Sequence, residues 1–447
     1  MTTPVNASDT YKNQIRTIAH GDNTVTVGSG GNYATITEAI AWLTTQTMID
    51  QITTSPLNTM TVDLTQHSDT VVTSEPTLPA GEDRLDVFTN DLMFVDTDAN
   101  ATWSALGSPA THYYPVLKKG NQPAGVTENA TVTLYGGIIG SSKTTYAATW
   151  WRPRKYAIIL LPGRHQIPAD IAIPNGCNLY IGGYGQATEV YGTMDSGANG
   201  LGNSSMLAPR YGFVHIDNMV FQGSSVLRPW NDQLPNFSES TTVVKLSNLA
   251  IRSSAQVMQS MLNHGLIMQN VHVYDSIDHG IALGGDFMLV DGFFARTSEG
   301  SEAVNLHITG NYWTMTTKEK LIRNFQLERH EPSPNRGSSA ALRISCPTVY
   351  GSPTRIKFMN GHIHENIGYA ATSSYCTRIN AGGAVAQVDF YNTIMDGRAP
   401  ITADVSTEGG ANLNLNMINC WQPDGTTLTF SDDGGGATVV NKVPTWA

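Results

Sequence analysis

The sequence is poor in charge: only 14% of its 447 residues are Asp, Glu, Lys or Arg, and the formal net charge is −11. No stretch gathers Lys and Arg into a basic cluster. A protein that binds nucleic acid or an anionic membrane surface uses such a cluster to neutralise phosphate charge. The composition therefore argues against both classes of partner.

Long apolar segments are also missing. No run approaches the roughly 20 residues of a transmembrane helix, and residues 1–16 lack the apolar stretch of a secretory signal. We therefore expect a protein that is made and folded in the cytoplasm without inserting into a membrane. It would leave the cell by another route, such as lysis.

Cysteine is scarce, with only four residues, and their spacing matches neither a CxxC motif nor a set of metal ligands. Cys420 falls at a position where the strand pattern described below points inward, so we expect a small buried hydrophobic side chain there. The sequence predicts no metal and no cofactor. The four cysteines are Cys177, Cys346, Cys376 and Cys420.

What the sequence does contain is a repeated strand pattern in a chain rich in Gly, Thr, Ser and Asn, a composition typical of all-β proteins. Eight times, an alternating apolar pair precedes an Asn or Asp, and a second apolar pair follows it, shifted by one position. In the frame LIMQNVHV, for example, Leu266, Met268, Val271 and Val273 are the apolar positions. The frames centre on Asn218, Asn248, Asn270, Asp291, Asn324, Asn360, Asn392 and Asn419.

The shift in the alternation has a physical cause. Side chains of a strand alternate with period two, so two inward-facing sets can be joined out of phase only where the chain turns. Asn tolerates the left-handed backbone angles of such a turn. The pattern therefore predicts a parallel β-helix in which the Asn residues stack at one corner.

The spacing of the frames predicts where loops leave the coil. A bare repeat of this kind needs roughly 20 residues, whereas Asn270 and Asp291 are separated by 291 − 270 = 21 positions and Asn324 and Asn360 by 360 − 324 = 36. The surplus residues must form loops, and loops on a solenoid are where function is commonly placed.

The same patterns divide the chain. We assign 1–24 to a polar N-terminal arm and 25–45 to the start of the coil, with a short amphipathic helix that caps its open end. Residues 46–154 lose the pattern and are predicted to form an insertion or small subdomain. The parallel β-helix is assigned to 155–425 and a tail to 426–447.

The segments GSGGNYATITEAI and IILLPGRHQI, followed by IAIPNGCNLYIGGYG, resemble the opening of pectate-lyase-like right-handed β-helix proteins. The polar arm and the large insertion are most similar to a bacteriophage tailspike. This resemblance implies a virion protein that binds bacterial surface polysaccharide, forms a homotrimer and contacts other tail proteins through its arm. Whether it also cleaves the polysaccharide stays open.

Candidate site residues lie first on the strand that precedes each frame. Side-chain alternation points His307, Arg343 and Arg378 outward, on rungs about 4.8 Å apart. The loops that lead into this column bring Asp278 and Glu302. Here the arginines would hold an acidic sugar, Glu302 or Asp278 would be the acid/base, and His307 would assist proton transfer. The alternative is a set of solvated strand positions.

A second candidate column lies four or five residues after each corner, with Glu328 and Glu365 as a competing pair. Carboxylates there would be about 5 Å apart on neighbouring rungs and about 9–10 Å apart on alternate rungs, near the separations of retaining and inverting glycosidases. Ordinary turn residues are the alternative. The column comprises Asp275, Arg296, Glu328, Glu365, Asp396 and Asp424. The neighbours expected to face sugar are His272, Tyr274, Phe293, Gln326, His362 and His364.

Three classes of function are compatible with these features. The first is a tailspike that recognises, and in one version cleaves, a host polysaccharide. The second is a rigid, non-catalytic spike or adhesin of the virion. The third is a free, secreted polysaccharide lyase or hydrolase.

Overall fold

The computed structural model describes about three fifths of the chain. The described residues are 23–52, 60–65, 68–74, 87–95, 112–119, 130–138, 143–192, 205–209, 211–223, 225–228, 241–252, 258–260, 265–276, 281–283, 286–297, 306–309, 319–330, 339–345, 354–366, 374–380, 386–397, 403–408, 413–432 and 438–442.

The largest element is a 13-stranded parallel sheet, here called the long sheet. Strands from consecutive coils pair with each other in parallel. The strands are Thr24–Val27, Lys155–Leu160, Gly163–Ile167, Asn178–Gly192, Tyr211–Gln222, Thr241–Arg252, Gly265–Ser276, Phe287–Thr297, Glu319–His330, Thr354–Asn366, Ala386–Gly397, Leu413–Ile418 and Thr438–Lys442.

A second parallel sheet of ten strands, here called the narrow sheet, alternates with the long sheet along the chain. Together the two sheets form a right-handed parallel β-helix, as the sequence predicts. The strands of the narrow sheet are Ile171–Ala172, Ser205–Leu207, Ser225–Arg228, Met258–Ser260, Ile281–Leu283, Leu306–Thr309, Ser339–Ser345, Ser374–Asn380, Ala403–Glu408 and Phe430–Asp432.

The third sheet is antiparallel, has seven strands and possesses its own apolar core. Thr24–Val27 pairs directly with Lys155–Leu160, so this sheet lies between two neighbouring coil strands in sequence. That topology agrees with an insertion, although separate folding of this region stays a prediction. Its strands are Ile49–Gln51, Met60–Leu64, Thr70–Ser74, Leu92–Val95, His112–Lys119, Ala130–Leu134 and Lys143–Pro153.

Aromatic side chains attach the antiparallel sheet to the coil. The rings of Tyr113 and Tyr211 stack at 4.1 Å between centroids, and Tyr135 packs edge-on against Phe213 and Phe287. These contacts fall near the beginning of the long-sheet strands. The later part of each strand, after its corner, is therefore not involved in these contacts.

The ends of the chain add two details. The helix Ile36–Thr44 is capped at its N-terminus by Thr35, whose hydroxyl accepts a hydrogen bond from the Glu38 amide in a capping box. Its apolar face enters the coil core, while its predicted capping role stays a prediction. Both parallel sheets continue past residue 425, because Phe430–Asp432 and Thr438–Lys442 pair with the preceding strands.

The longer strands of the long sheet bend at a residue with left-handed backbone angles. All seven predicted Asn corners have positive φ, between 49° at Asn392 and 59° at Asn218. Few non-glycine residues adopt such angles, and Asn is among those that do so most readily. The predicted stack of Asn corners is confirmed.

The Asn side chains form a ladder along the axis. The amide nitrogen of Asn419 donates to the side-chain oxygen of Asn392, and Asn392 donates to Asn360, each at 3.1 Å. Asn270 donates to Asn248 in the same direction at 3.0 Å. In these pairs each corner is therefore linked to the corner one rung before it.

The eighth corner corrects the sequence prediction by one residue. Gly292, with φ 72°, occupies the left-handed position, and Asp291 precedes it. Asp291 still continues the ladder, because its carboxylate accepts hydrogen bonds from Asn324 and Arg323 at 2.7 and 2.8 Å. These two contacts, that from Asn324 first, hold the pKa of Asp291 below its usual value. The register shift places Phe293 in the core, at 1% exposure, and Phe294 on the outer surface.

The coil interior is filled by the residues that the pattern places inward. The rings of Phe358 and Phe390 stack at 4.6 Å, and Phe325 packs against Phe358 at 5.6 Å. Gly361 makes room for this stack, since a Cβ there would lie 2.0 Å from the Phe325 ring. Cys420 is fully buried, as predicted, and burial raises the pKa of its thiol to about 11.

Replacing Asn392 tests the two roles of a corner residue. Asn392→Gly keeps the left-handed angle but removes two ladder hydrogen bonds, so we expect a loss of about 1 kcal/mol. Asn392→Ala adds backbone strain and should cost roughly 1–2 kcal/mol more. Denaturant unfolding of both variants measures the difference. Equal losses would show that the backbone angle is unimportant.

Phe293 and Phe294 provide a matched test of the corrected register. Phe293→Asp places a charge in the apolar core and should destabilise the coil by more than about 4 kcal/mol. Phe294→Asp should cost less than about 1–2 kcal/mol, because the side chain faces outward. Soluble yield and denaturation midpoints of the two variants would be compared. The reverse order would contradict the register.

Candidate functional site

The candidate site is an outward strip on the long sheet, here called the post-corner face. It consists of side chains two and four residues after successive corners, which point away from the core because +1 and +3 point inward. Five neighbouring strands carry it, so it extends about 19 Å along the axis. Its members are His272, Tyr274, Phe294, Arg296, Gln326, Glu328, His362, His364, Ile394 and Asp396.

One end of the post-corner face is aromatic. Phe294 lies 5.8 Å from the His272 ring and 5.6 Å from the Tyr274 ring, measured between centroids. The hydroxyl of Tyr274 and Nδ1 of His272 are 3.2 Å apart. The three rings are partly accessible and form a surface with apolar faces and polar edges, the combination on which sugar rings stack.

The other end combines imidazoles and carboxylates. Nδ1 of His364 lies 2.8 Å from a carboxylate oxygen of Asp396 on the next strand. The His362 and His364 rings are 6.0 Å apart, and among the described residues no group hydrogen-bonds the buried Nε2 of His362. Burial, followed by the nearby His364, lowers the pKa of His362, although Asp396 and Glu328 oppose this. His362, His364 and Asp396 could hold a metal ion, since one ligand atom from each lies within 4.8 Å of the others.

Glu328 and Asp396 are the two carboxylates of this strip. Strand pairing places Glu328 opposite His364 and His364 opposite Asp396, so the two acids are two rungs apart. The strands that carry them are therefore separated by about 9–10 Å. Gln326 donates a hydrogen bond to Glu328 at 2.5 Å and fixes its orientation.

Several sequence predictions for this face need correction. His364, rather than Glu365, lies beside Glu328, while Glu365 pairs with Arg329 one position further along. The reason is the distance from the corner, since Glu328 lies four residues after Asn324, whereas Glu365 lies five residues after Asn360. Asp275 also lies five residues after its corner, Asn270, and therefore does not belong to the post-corner face. Phe293, predicted to face sugar, lies in the core. His272, Tyr274 and His362 are partly exposed, in agreement with outward-facing positions, while their role in sugar binding stays a prediction.

Sequence reasoning missed the grouping of His362, His364 and Asp396. The signal was present in the motif His362-Ile363-His364, because residues two apart on a strand share a face. Asp396 lies 396 − 364 = 32 positions later, and only the register of neighbouring strands brings it to His364.

The column predicted on the narrow sheet forms at the level of the backbone. His307 pairs with Arg343, and Arg343 pairs with Arg378, as expected for stacked rungs. Both arginine side chains are partly exposed between buried neighbours. Asp278 and Glu302, the proposed acids of this column, lie outside the described residues, so catalysis at this face stays a prediction.

A third polar cluster surrounds Asp217, just before the first Asn corner. Its carboxylate accepts hydrogen bonds from Ser247 at 2.6 Å, from Tyr180 at 2.9 Å and from Asn248 at 3.0 Å. Ser247 lies 2.7 Å from Nε2 of His215. Because the serine proton is directed to Asp217 and not to His215, this arrangement does not activate a nucleophile. The network instead secures the start of the ladder.

Comparison with known proteins finds likeness in structure alone: no protein-family model and no curated protein sequence matches the chain. The A-module of a mannuronan C-5 epimerase from Azotobacter vinelandii is similar over 63% of this chain and 90% of its own, with 11% identity and a TM-score of 0.30. Two tailspikes are also similar. That of Acinetobacter baumannii bacteriophage AP22, solved with a capsular saccharide of A. baumannii, has 12% identity, covers 89% of this chain and 63% of its own, and has a TM-score of 0.32.

The second tailspike, from Pseudomonas phage phi297, has 11% identity, covers 88% of this chain and 57% of its own, and has a TM-score of 0.23. At these identities the likeness concerns the fold and does not decide the function. In the described part of the chain, no helix has the length and apolar character needed to cross a membrane.

The Asp217 network predicts a pH-dependent stability. Burial, and then the charge of Lys245, lower the pKa of His215 from 6.5 to about 4, while Asp217 opposes them. Between these values the unfolded chain binds more protons, so the free energy of unfolding falls as the pH drops from 6.5 to 4. We expect His215 to contribute about 1–2 kcal/mol of this fall, after allowance for its partial exposure. Unfolding of the parent and of His215→Gln across this range provides the test. Parallel curves would contradict it.

Proposed function

We propose that this chain binds a bacterial surface polysaccharide along the post-corner face as part of a phage tail. The observation that carries the proposal is the unbroken strip in which an aromatic cluster continues into imidazoles and carboxylates. Aromatic faces stack on sugar rings, and the adjoining polar groups hydrogen-bond to hydroxyls. Virion location, contacts of the arm with other tail proteins and a homotrimeric assembly rest on the sequence resemblance.

The support for a long, repetitive ligand is geometric. Parallel strands present equivalent side chains at a constant spacing of about 4.8 Å, so the binding positions follow the axis in a line. The side chains stand on strands and not on loops, which holds them close to one geometry without the ligand. A chain-like ligand can therefore contact several rungs at once, and this raises affinity through many weak contacts.

Cleavage of the bound glycan is a second candidate function, favoured by the two-rung spacing of the strands that carry Glu328 and Asp396. Inverting glycosidases place their carboxyl groups about 6.5–9.5 Å apart, leaving room for a water molecule. Glu328 would protonate the glycosidic oxygen while Asp396 takes a proton from the water that attacks the anomeric carbon. The products are a reducing sugar end and a free hydroxyl on the leaving sugar. In the alternative, a non-catalytic virion adhesin, the same face binds the glycan but does not cleave it.

Substitutions separate binding from cleavage. Tyr274→Ala and Phe294→Ala remove stacking surface, and each should weaken binding of purified capsular polysaccharide by roughly 5–10-fold, the equivalent of about 1 kcal/mol. Glu328→Gln and Asp396→Asn should lower release of reducing sugar by about 10²–10⁴-fold while binding is retained. Binding is measured by calorimetry with chelator present.

Phe88→Ala is the matched control, because Phe88 is an exposed ring shortly before the strand Leu92–Val95 and does not belong to the post-corner face. Asp278→Asn and Glu302→Gln test the competing narrow-sheet site. Loss of cleavage in these two variants, with Glu328→Gln unaffected, would move the reaction to that site. Absence of cleavage in a parent protein that binds its glycan would favour the adhesin.

A further inference from the structure

We propose that His362, His364 and Asp396 bind one divalent transition-metal ion of the zinc class on the post-corner face. The proposal does not rest on glycan binding, because it follows from the ligand atoms alone. One ligand atom of each residue lies within 4.8 Å of the other two. Two imidazoles and one carboxylate form a donor set that such ions use, with a further position left for water or substrate.

The fold places these three ligands without help from a loop. His362 and His364 are two residues apart on the same strand, so their side chains emerge on the same face. Asp396 pairs directly with His364 on the neighbouring strand. Backbone hydrogen bonds on both strands therefore fix the origin of all three side chains before any ion binds.

Two features of the group suit a bound ion. Nδ1 of His364 and the Asp396 carboxylate oxygen are 2.8 Å apart, close to the roughly 3 Å between neighbouring ligand atoms that bonds of about 2.0–2.1 Å imply. A small shift would let an ion replace the proton shared by these two atoms. Nε2 of His362 is buried, and within the described structure it has no hydrogen-bond partner that competes for its lone pair.

The nature of the ligands excludes the common hard cations as the preferred occupants. Ca²⁺ and Mg²⁺ are bound mainly by oxygen atoms, whereas this site offers two nitrogen donors and one carboxylate. The site also has a consequence for the proposed cleavage. An ion that occupies Asp396 would prevent this carboxylate from taking a proton from water, so ion binding and hydrolysis through Glu328 and Asp396 exclude each other.

The test uses the full, untagged chain after removal of metal with a chelator. Titration calorimetry with Zn²⁺ should show one ion per chain, and Ca²⁺ should show no comparable binding. His362→Ala, His364→Ala and Asp396→Asn should each weaken Zn²⁺ binding by at least about 100-fold, the upper end of what loss of a supporting residue alone costs. His272→Ala is the matched control, since it removes an imidazole from the same face three strands away, and it should bind Zn²⁺ as the parent does.

Unfolding in the presence of Zn²⁺ gives an independent measurement. An ion that binds only the folded state raises the unfolding temperature of the parent and of His272→Ala, but not that of the three ligand variants. If an alanine variant fails to fold, Asp396→Asn still provides the test, because asparagine has nearly the same shape as aspartate. A folded parent that binds no Zn²⁺, or ligand variants that bind it with unchanged affinity, would overturn the proposal.

Discussion

The structure depends on one backbone conformation, the left-handed residue that interrupts each long strand. Without it, the alternation of side chains would continue unbroken, and the apolar pair that follows the corner would face solvent. Seven Asn residues and Gly292 adopt this conformation. The Asn side chains also hydrogen-bond to one another between rungs, so the group that makes the turn possible also aligns each coil with the next.

This alignment gives the post-corner face its chemical character. Because neighbouring corners are in register, the positions two and four residues later are in register as well, whatever the length of the loop between them. Residues that are about thirty positions apart in sequence thus become adjacent on a surface. The aromatic group around Phe294 and the group around His364 are continuous for this reason, and their positions depend on strand backbones that the core holds in place.

Polar groups near the corners fall into two sets, those that stabilise the fold and those that could bind a ligand. Asp217 accepts three hydrogen bonds from neighbouring side chains, and Asp291 accepts two, so both carboxylates serve the ladder. His362 is different, since its Nε2 is buried and, in the described structure, makes no hydrogen bond. A buried polar atom without a partner is costly unless something binds to it. This contrast, more than the presence of histidine itself, distinguishes a candidate binding site from reinforcement of the fold.

The all-β coil, the seven Asn corners and the inward positions could be predicted from the sequence, because these depend on local backbone preference and on alternation within one strand. The sequence pattern misplaced the eighth corner, since Gly292 adopts left-handed angles as readily as Asn and the preceding Asp291 resembled the missing Asn. The residues that meet across strands could not be predicted in this way, because their contacts depend on how the strands pair. Counting from the corner identifies His364, and not Glu365, as the neighbour of Glu328 only when the corners are known to be in register, and backbone hydrogen bonds between strands set that register. The approach of Asp396 to His364 likewise follows from strand pairing across 32 positions, a distance at which local pattern carries no information.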